Sequence, residues 1–401
     1  MEAIMQKIVS EVLKNKERFL VKSDYREKTL DLAIADALKK LDYMIETMDG
    51  KYPSHASKNN VYGKDENEKG GWNQGFYSGM LWIAYELSGD EKYKELALSQ
   101  IDAYAQRMDA VYGVMGHDVG FLYSLSCVAA YKLTGDEHAK ATAIKAADHL
   151  KLRFQEKGQF IKAWGAVQGP DNYRLIVDTL LNIPILFWAS EVTGDDSYRN
   201  IARTHYATTL KYAVRDNGSS FHTFYFAPET GVYLRGVTKQ GRDDDSTWSR
   251  GHGWVVYGSM LVKRYIDFPE SEEIARAAIK FYQNRLPSDF VPFWDLEFVE
   301  SDGEEKDSSA TPIVLCGMLE LLRTLEPGEE YDMIENTVCH SMNSLYYNYS
   351  TKDTPESNGI LLHAVYSKPN DVGIDECNIW GDYFYMECLI RMKKKDWKYY
   401  W

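Results

Sequence analysis

One phrase recurs along the first half of the chain and limits how it can fold. It reads YELSGDEKY at residues 85–93, YKLTGDEHA at 131–139 and SEVTGDDSY at 190–198. In each, an apolar run ends in Gly and Asp follows. Gly tolerates the left-handed backbone found just past a helix end. Asp suits the N-cap of the next helix, because its carboxylate accepts from free backbone N–H groups. The phrase therefore predicts a tight helix-to-helix turn, used at spacings of 46 and then 59 residues. Looser forms occur at 265–275 (YIDFPESEEIA) and 323–335 (RTLEPGEEYDMIE), where Pro and acidic residues stop one helix and start another.

Around these turns two kinds of helix alternate. Residues 91–108, 137–154, 197–214, 271–285 and 329–348 are amphipathic, with apolar residues at three- and four-residue steps. Residues 76–88, 119–133, 175–192, 252–266, 309–325 and 378–391 are apolar nearly all round and must be enclosed by protein. An N-terminal helix near 28–48 completes six of each kind. The expected fold is all-α, an (α/α)6 barrel of six inner and six outer helices in one domain over residues 1–401. The alternative is an open α-solenoid. The long returns at 49–71, 155–174, 215–249, 286–307 and 349–377 all enter inner helices at the same end. They gather on one face, where chemistry is usually placed. Residues 219–237 alternate enough to predict a small hairpin.

Composition excludes several classes. The apolar fraction is 44% and the charged fraction 26%, as in globular proteins. A formal charge of −14 disfavours nucleic acid and anionic membranes as partners. No apolar stretch approaches the roughly 20 residues needed to span a bilayer. The N-terminus, MEAIMQKIVSEVLKNKERF, has no continuous signal-peptide core. Five dispersed cysteines (Cys127, Cys316, Cys339, Cys377, Cys388) without metal-type spacing read as buried reduced thiols in a cytoplasmic protein, a monomer or homodimer.

If the ring closes, the starts of the inner helices converge on one pocket. They are Trp72 to Gly75, His117 to Gly120, Arg174 to Asp178, Trp248 to Gly251, Asp307 to Ser309 and Trp380 to Asp382. Asp178 lies in an apolar run, RLIVDTLLNIPILFW, so its pKa should rise and leave a neutral acid fit for proton donation. A hydrogen-bonded structural Asp is the alternative. Pro184 should kink that helix or mark its first turn. Asp118 falls at an expected N-cap, where the helix dipole favours the anion or where it is simply a cap. Two carboxylates pushed in opposite directions divide acid and base work. His117 and His222 can donate to a substrate or carboxylate. Arg250 can fork onto a carboxylate or sulfate of a ligand, or pair with one of Asp243, Asp244 or Asp245. Trp72, Trp164, Trp248 and Trp254 can stack on sugar faces or belong to the core. No HExxH or paired-His motif appears, so neither metal nor cofactor is expected.

Taken together, these segments resemble the unsaturated glucuronyl hydrolases of glycoside hydrolase family 88. The matching stretches include GGWNQGFYSGMLWIAYELSGDEKY, GHDVGFLYSLS, SSFHTFYFAPETG, TKQGRDDDSTWSRGHGWVVYG and NIWGDYFYMECLIRM, from about residue 70 to 392. The resemblance implies the same barrel and a small-molecule substrate, an oligosaccharide left by polysaccharide lyases. Its non-reducing uronic acid carries a C4–C5 double bond. Asp178 would protonate C4 and then activate water for addition at C5, with Asp118 orienting substrate and tuning Asp178. Trp72, His117, His222, Gln240, Arg250 and Trp254 fall on family positions around the uronate ring. Ser367 and Lys368 match part of the family's sulfate-holding loop, but no second Ser follows just downstream. The implied substrates are chondroitin- or hyaluronan-type unsaturated disaccharides. The rivals are an unsaturated rhamnogalacturonyl hydrolase acting on pectin fragments, an N-acyl sugar epimerase on the same barrel, which should carry several pocket histidines, and a non-catalytic sugar-binding protein.

Overall fold

A computed structural model describes residues 8–65 and 70–401. Residues 1–7 of the N-terminal segment, and 66–69 of the long return at 49–71, lie outside the described residues. The chain is mostly helical. After a single turn, α1 (Glu17–Leu20), come α2 (Glu27–Met48), α3 (Gln74–Ser88), and the broken pair α4 (Glu91–Ser99) and α5 (Ile101–Asp109). Next, α6 (Val119–Tyr123) continues through a π-helical turn into α7 (Ala129–Thr134), followed by α8 (Glu137–Lys151). The second half adds α9 (Pro184–Thr193), α10 (Asp196–Ala213), α11 (Ser249–Lys263), α12 (Glu270–Gln283), α13 (Ala310–Leu322), α14 (Glu329–Ser344) and α15 (Ile379–Lys393).

The three repeated phrases fold alike. Gly89, Gly135 and Gly194 sit at φ of +72°, +75° and +76°, and their N–H groups return to the carbonyls of Tyr85, Tyr131 and Ser190. A Cβ at any of these glycines would touch nothing within 4 Å, so the backbone conformation alone calls for Gly. Asp90, Asp136 and Asp195 then cap the N–H groups of Lys92, Ala139 and Ser197 at 3.1, 2.8 and 2.8 Å. The hydroxyls of Ser88, Thr134 and Thr193 complete each turn, donating one turn back and accepting the N–H of the capping Asp.

The helices expected to be enclosed are enclosed: α3, α11, α13 and α15 bury nearly their whole circumference. Each packs on the next. The succession runs from α3 to α6 and its π-helical turn, to α9, from the turn at Val177–Leu181 to α11, then α13, α15 and back to α3. The amphipathic helices lie outside; α12, for example, buries Ile274, Ala275, Ala278, Phe281 and Tyr282 and turns its acidic first turn to solvent. The carboxyl ends of α3, α7 and α11 are covered by the last residues of the chain. There the Trp397 indole N–H donates to Glu86, Lys132 donates to the carbonyls of Tyr399 and Tyr400, and the buried Trp401 ring stacks on Phe384.

One inner segment departs from expectation. Residues 175–192 are not a single helix. Arg174–Ile176 forms a strand, Val177–Leu181 a 3-10 turn, and the α-helix starts only at Pro184. Pro184 marks the first turn because the N–H it lacks would have no partner there. The β-branched Ile176 and Val177 favour the extended chain that leads into the turn.

Among the described residues the strand pairs are antiparallel and lie in or at the edge of the long returns. β1 (Phe154–Gln155) pairs with β2 (Phe160–Ile161); β3 (Arg174–Ile176) with β4 (Thr223–Phe226), which pairs with β5 (Tyr233–Val237); and β6 (Ala364–Ser367) with β7 (Val372–Glu376). The expected hairpin at 219–237 is β4–β5, and it recruits β3 as a third strand. All five cysteines are free thiols, and all but Cys339 are buried. No described helix is long and apolar enough to cross a membrane.

Candidate active site

The amino-terminal ends of the apolar helices meet. Trp72, just before α3, stacks on Trp380 of α15 with ring centroids 5.3 Å apart and packs on Phe121 of α6 at 5.9 Å. Arg250 of α11 lies 4.9 Å over the Trp380 ring and pairs with Asp307, before α13, at 3.1 Å. His117, before α6, is hydrogen-bonded to Thr179 in the turn that precedes α9. Phe76, Phe121, Trp254 and Phe384 pack together as an aromatic floor.

Asp178 sits in the 3-10 turn with its side chain 18% exposed, and its Oδ2 has no hydrogen-bond partner. His222 Nε2 faces that oxygen at 4.0 Å. The other ring nitrogen, Nδ1, accepts the Lys239 N–H at 3.1 Å, so the proton of the neutral ring is on Nε2, toward Asp178. Burial and nearby cations hold His222 down to about 3, a neutral donor at working pH. Burial pushes Asp178 up to about 7, against the opposing pull of Arg250 and the Trp254 indole. That indole N–H makes no hydrogen bond of ordinary geometry.

Asp118 begins α6, 21% exposed, yet caps none of its N–H groups. Burial, with the charge of Asp178 added, pushes it up to about 8, while Arg153 opposes the rise. This corrects the expectation of an anion held by the helix dipole. A helix end contributes about 0.3–1 kcal/mol, whereas each pK unit corresponds to about 1.4 kcal/mol. Desolvation and like charge therefore outweigh the short α6. The two carboxyls are pushed in the same direction, each chiefly by burial.

Three contacts hold the segments that carry them together. His117 and Thr179 bond directly, and burial keeps His117 neutral, well below its usual range. Asn182 accepts the Phe121 N–H at 2.8 Å and donates to the Asp178 carbonyl at 3.0 Å. Gly120 lets the chains touch, because a Cβ there would stand 2.3 Å from Asn182 Cα. Beneath them the buried Arg153 donates to the carbonyls of Met115 at 2.7 Å and Gly165 at 3.1 Å, tying the loops that carry Asp118 and Trp164.

The other expected residues divide. Trp164, 38% exposed, stands edge-on to His117 at the rim, and Trp72 is half-buried. Trp248 and Trp254 are buried; Trp248 backs the His222 ring at 4.4 Å, while Trp254 belongs to the floor. Gln240 donates to the Tyr366 carbonyl at 3.1 Å. Arg250 is not paired with Asp243, Asp244 or Asp245. Its partners are Asp307 and the carbonyls of Val365 and Tyr366, each at 2.6 Å, so much of its fork is occupied by the fold. Ser367 is buried and accepts from Asn370 at 2.7 Å, and Lys368 is ion-paired with Glu305 rather than solvated. His252 is buried against the Ala278 carbonyl.

Asp382 is an internal control. It is fully buried, where the site carboxyls are about a fifth exposed, and burial raises it likewise to about 7, but it accepts from Leu361, Ile360 and Tyr62 at 2.8, 3.1 and 3.0 Å. Its oxygens are occupied where Asp178 has one free. Sequence reasoning missed Thr179, Asn182 and Tyr366. Asn182 had a signal, being the next polar side chain after Asp178 and Thr179 in the apolar run RLIVDTLLNIPILFW. Among the described residues no group of His, Cys, Asp and Glu is arranged to hold a metal ion. The site brings together two carboxyls about a fifth exposed, one with a buried oxygen that no donor satisfies, beside an aromatic cluster; a protonated carboxyl so placed can give a proton to carbon and take one back from water.

Residues 44–297 match the profile of Glycosyl Hydrolase Family 88. The chain is 42% identical over 387 residues to an unsaturated chondroitin disaccharide hydrolase of Streptococcus pyogenes serotype M1, covering 96% of this chain and 95% of that protein. Its fold matches the crystal structure of unsaturated glucuronyl hydrolase from Streptococcus agalactiae with a TM-score of 0.95 at 40% identity, over 100% of both chains. A variant of that enzyme complexed with dGlcA-GalNAc6S matches at 0.89 and 37% identity, again over 100% of both. The chain belongs to glycosyl hydrolase family 88.

Proposed function

We propose that this protein is an unsaturated glucuronyl hydrolase that releases the 4,5-unsaturated uronic acid from lyase-generated chondroitin- or hyaluronan-type disaccharides. The scaffold is read as a single (α/α)6 barrel, supported by the closed succession of inner helices and the convergence of their amino-terminal ends. The observation that carries the reaction is the buried, unpartnered oxygen of Asp178, in a side chain whose pKa burial raises to about 7.

In the first step the Asp178 carboxyl gives its proton to C4, and the alkene electron pair forms the C4–H bond. The cation left at C5 is shared with the ring oxygen, an oxocarbenium-like centre that the new Asp178 carboxylate stabilises. Water then adds at C5 and returns a proton to Asp178. The C5 hemiketal opens to a ketone, leaving at C1 a hemiacetal that expels the partner sugar. One water is consumed and the acid is regenerated. Asp118, protonated beside Asp178, orients the substrate and tunes its neighbour. The buried His222 keeps its Nε2 proton toward Asp178, His117 holds the Asp178 turn through Thr179, and Trp72 and Trp164 offer faces to the sugar rings.

The substrate is anionic and the chain carries −14, so long-range repulsion must be overcome locally. The test is loss of the conjugated enoate in the ultraviolet, followed with a panel of unsaturated disaccharides. Turnover of chondroitin or hyaluronan disaccharides is expected. Turnover of the pectin-derived rhamnogalacturonan fragment alone would overturn the assignment.

A further inference from the structure

Among the described residues five arginines are buried: Arg107, Arg153, Arg174, Arg250 and Arg391. The fold occupies four of them. Arg107 and Arg153 donate to main-chain carbonyls, Arg250 to Asp307 and two carbonyls, and Arg391 to Glu320 and Glu387. Arg174 differs. It is 2% exposed, its one side-chain hydrogen bond is Nη1 to the Tyr225 hydroxyl at 2.6 Å, and its buried Nε has no partner. It forms no ion pair with any described carboxylate, in a chain with an excess of acidic residues. Arg107 and Arg153 lack a counter-anion as well, but carbonyls fill their forks; the buried Arg174 fork is filled at Nη1 alone, which is unfavourable unless a ligand fills the rest.

Its position says what that is. Arg174 opens β3, which runs straight into the Asp178 turn. The guanidinium lies 4.5 Å over the ring of Trp164, the exposed indole at the pocket rim. Main-chain bonds fix the register: the Ala163 N–H donates to the Arg174 carbonyl at 3.1 Å, and the His117 N–H to the Ala163 carbonyl at 3.0 Å. Arg250, not Arg174, is the guanidinium whose charge acts on Asp178; that of Arg174 bears on His117 and His222. Arg174 thus stands under the exposed Trp164 indole, on the strand that leads into the Asp178 turn.

We propose that Arg174 and Trp164 form an anion subsite that takes an oxyanion substituent of the substrate, with the planar guanidinium fork as its receptor. It rests on the reading that the substrate is an unsaturated uronyl disaccharide. Two sources carry that chemistry, a sulfate ester on the disaccharide and the carboxylate of the uronate.

The experiment compares the wild type with Arg174→Gln and Arg174→Lys on unsulfated and monosulfated unsaturated chondroitin disaccharides. Arg174→Gln is expected to raise KM about tenfold or more while kcat changes less than about twofold, with Arg174→Lys in between. A loss confined to sulfated substrates identifies sulfate, and an equal loss on both identifies the carboxylate. Unchanged KM on every disaccharide overturns the subsite. Should Arg174→Gln not fold, Tyr225→Phe leaves the buried charge in place and frees its fork; a KM shift of about threefold is then expected, and none overturns the proposal. A wild type that turns over no unsaturated disaccharide overturns the functional reading instead.

Discussion

His117 and Thr179, each the chain neighbour of a pocket carboxyl, are hydrogen-bonded to one another. The bond joins the loop before α6 to the turn before α9, so Asp118 and Asp178 are held as a unit rather than by two independent loops. Each is close enough to the other for the charge on Asp178 to raise Asp118.

Asp178→Asn removes the proton donor and keeps the shape. We expect kcat to fall at least about 10³-fold, within the range of a lost acid–base group. The melting temperature at pH 8 should stay unchanged or rise, because the wild-type carboxyl lacks a partner for Oδ2. Steady-state kinetics and thermal melting check both, and near wild-type turnover would remove Asp178 from the chemistry.

The pH dependence has a fixed sign. In the proposed step Asp178 must be protonated to act, and its pKa is raised to about 7. The profile of kcat/KM should therefore be flat on its acid side and fall about tenfold per pH unit above that value. Stability follows the same protons. Both carboxyls bind protons in the folded state, up to about 7 and about 8, that they would have lost in the unfolded chain near 4. Their contribution is complete below pH 4 and is lost as pH rises through 7 and 8. The melting temperature of Asp118→Asn, relative to wild type, should rise across that window. A gap that shrinks with pH would contradict the assigned direction.

Asn182→Ala removes two buried hydrogen bonds at once, to Phe121 and to the Asp178 carbonyl. About 2–4 kcal/mol of stability should go with them, judged from the cost of leaving buried partners unsatisfied. Gly120→Ala should destabilise by about 1–3 kcal/mol through overpacking, as its Cβ meets Asn182 main chain. Denaturant melts give both values, and kcat should fall with each because the carboxyls lose their relative placement. Unaltered activity in both variants would show that the lock is not needed.

Arg250→Ala is expected to act mainly on the fold. It strands Asp307, 0% exposed, without its cation, which costs about 3–5 kcal/mol when a buried pair is broken. The double variant with Asp307→Ala should recover part of that loss. A double-mutant cycle in urea measures the recovery, and strictly additive losses would contradict the pairing.

Much of this was legible in the chain. The Gly-Asp phrases specify local geometry that no distant contact has to supply, and Gly89, Gly135 and Gly194 adopt it alike. The alternation of enclosed and half-exposed helices is equally local, carried by the apolar period. Asp178 stands out because an ionisable side chain in an apolar run is costly to bury. What the sequence withheld depends on groups far apart in it. Arg250 and Asp307 are 57 residues apart, and nothing near Arg250 announces that partner. Asp118 looked like a helix cap, and only the fold brings the burial, with the second carboxyl added, that overrides the dipole. The strand at Arg174–Ile176 forms because the hairpin at 223–237 offers an edge to it, so the apolar run that reads as helix begins as sheet.

The central claim is that Asp178 delivers a proton to C4 before the glycosidic bond opens. The reaction can be run in heavy water, quenched early and read by NMR. The account predicts one deuterium on a single face of C4 in the released keto acid, with enoate loss keeping pace with release of the partner sugar. Release of the sugar ahead of enoate loss, with deuterium spread over both faces of C4, would contradict it.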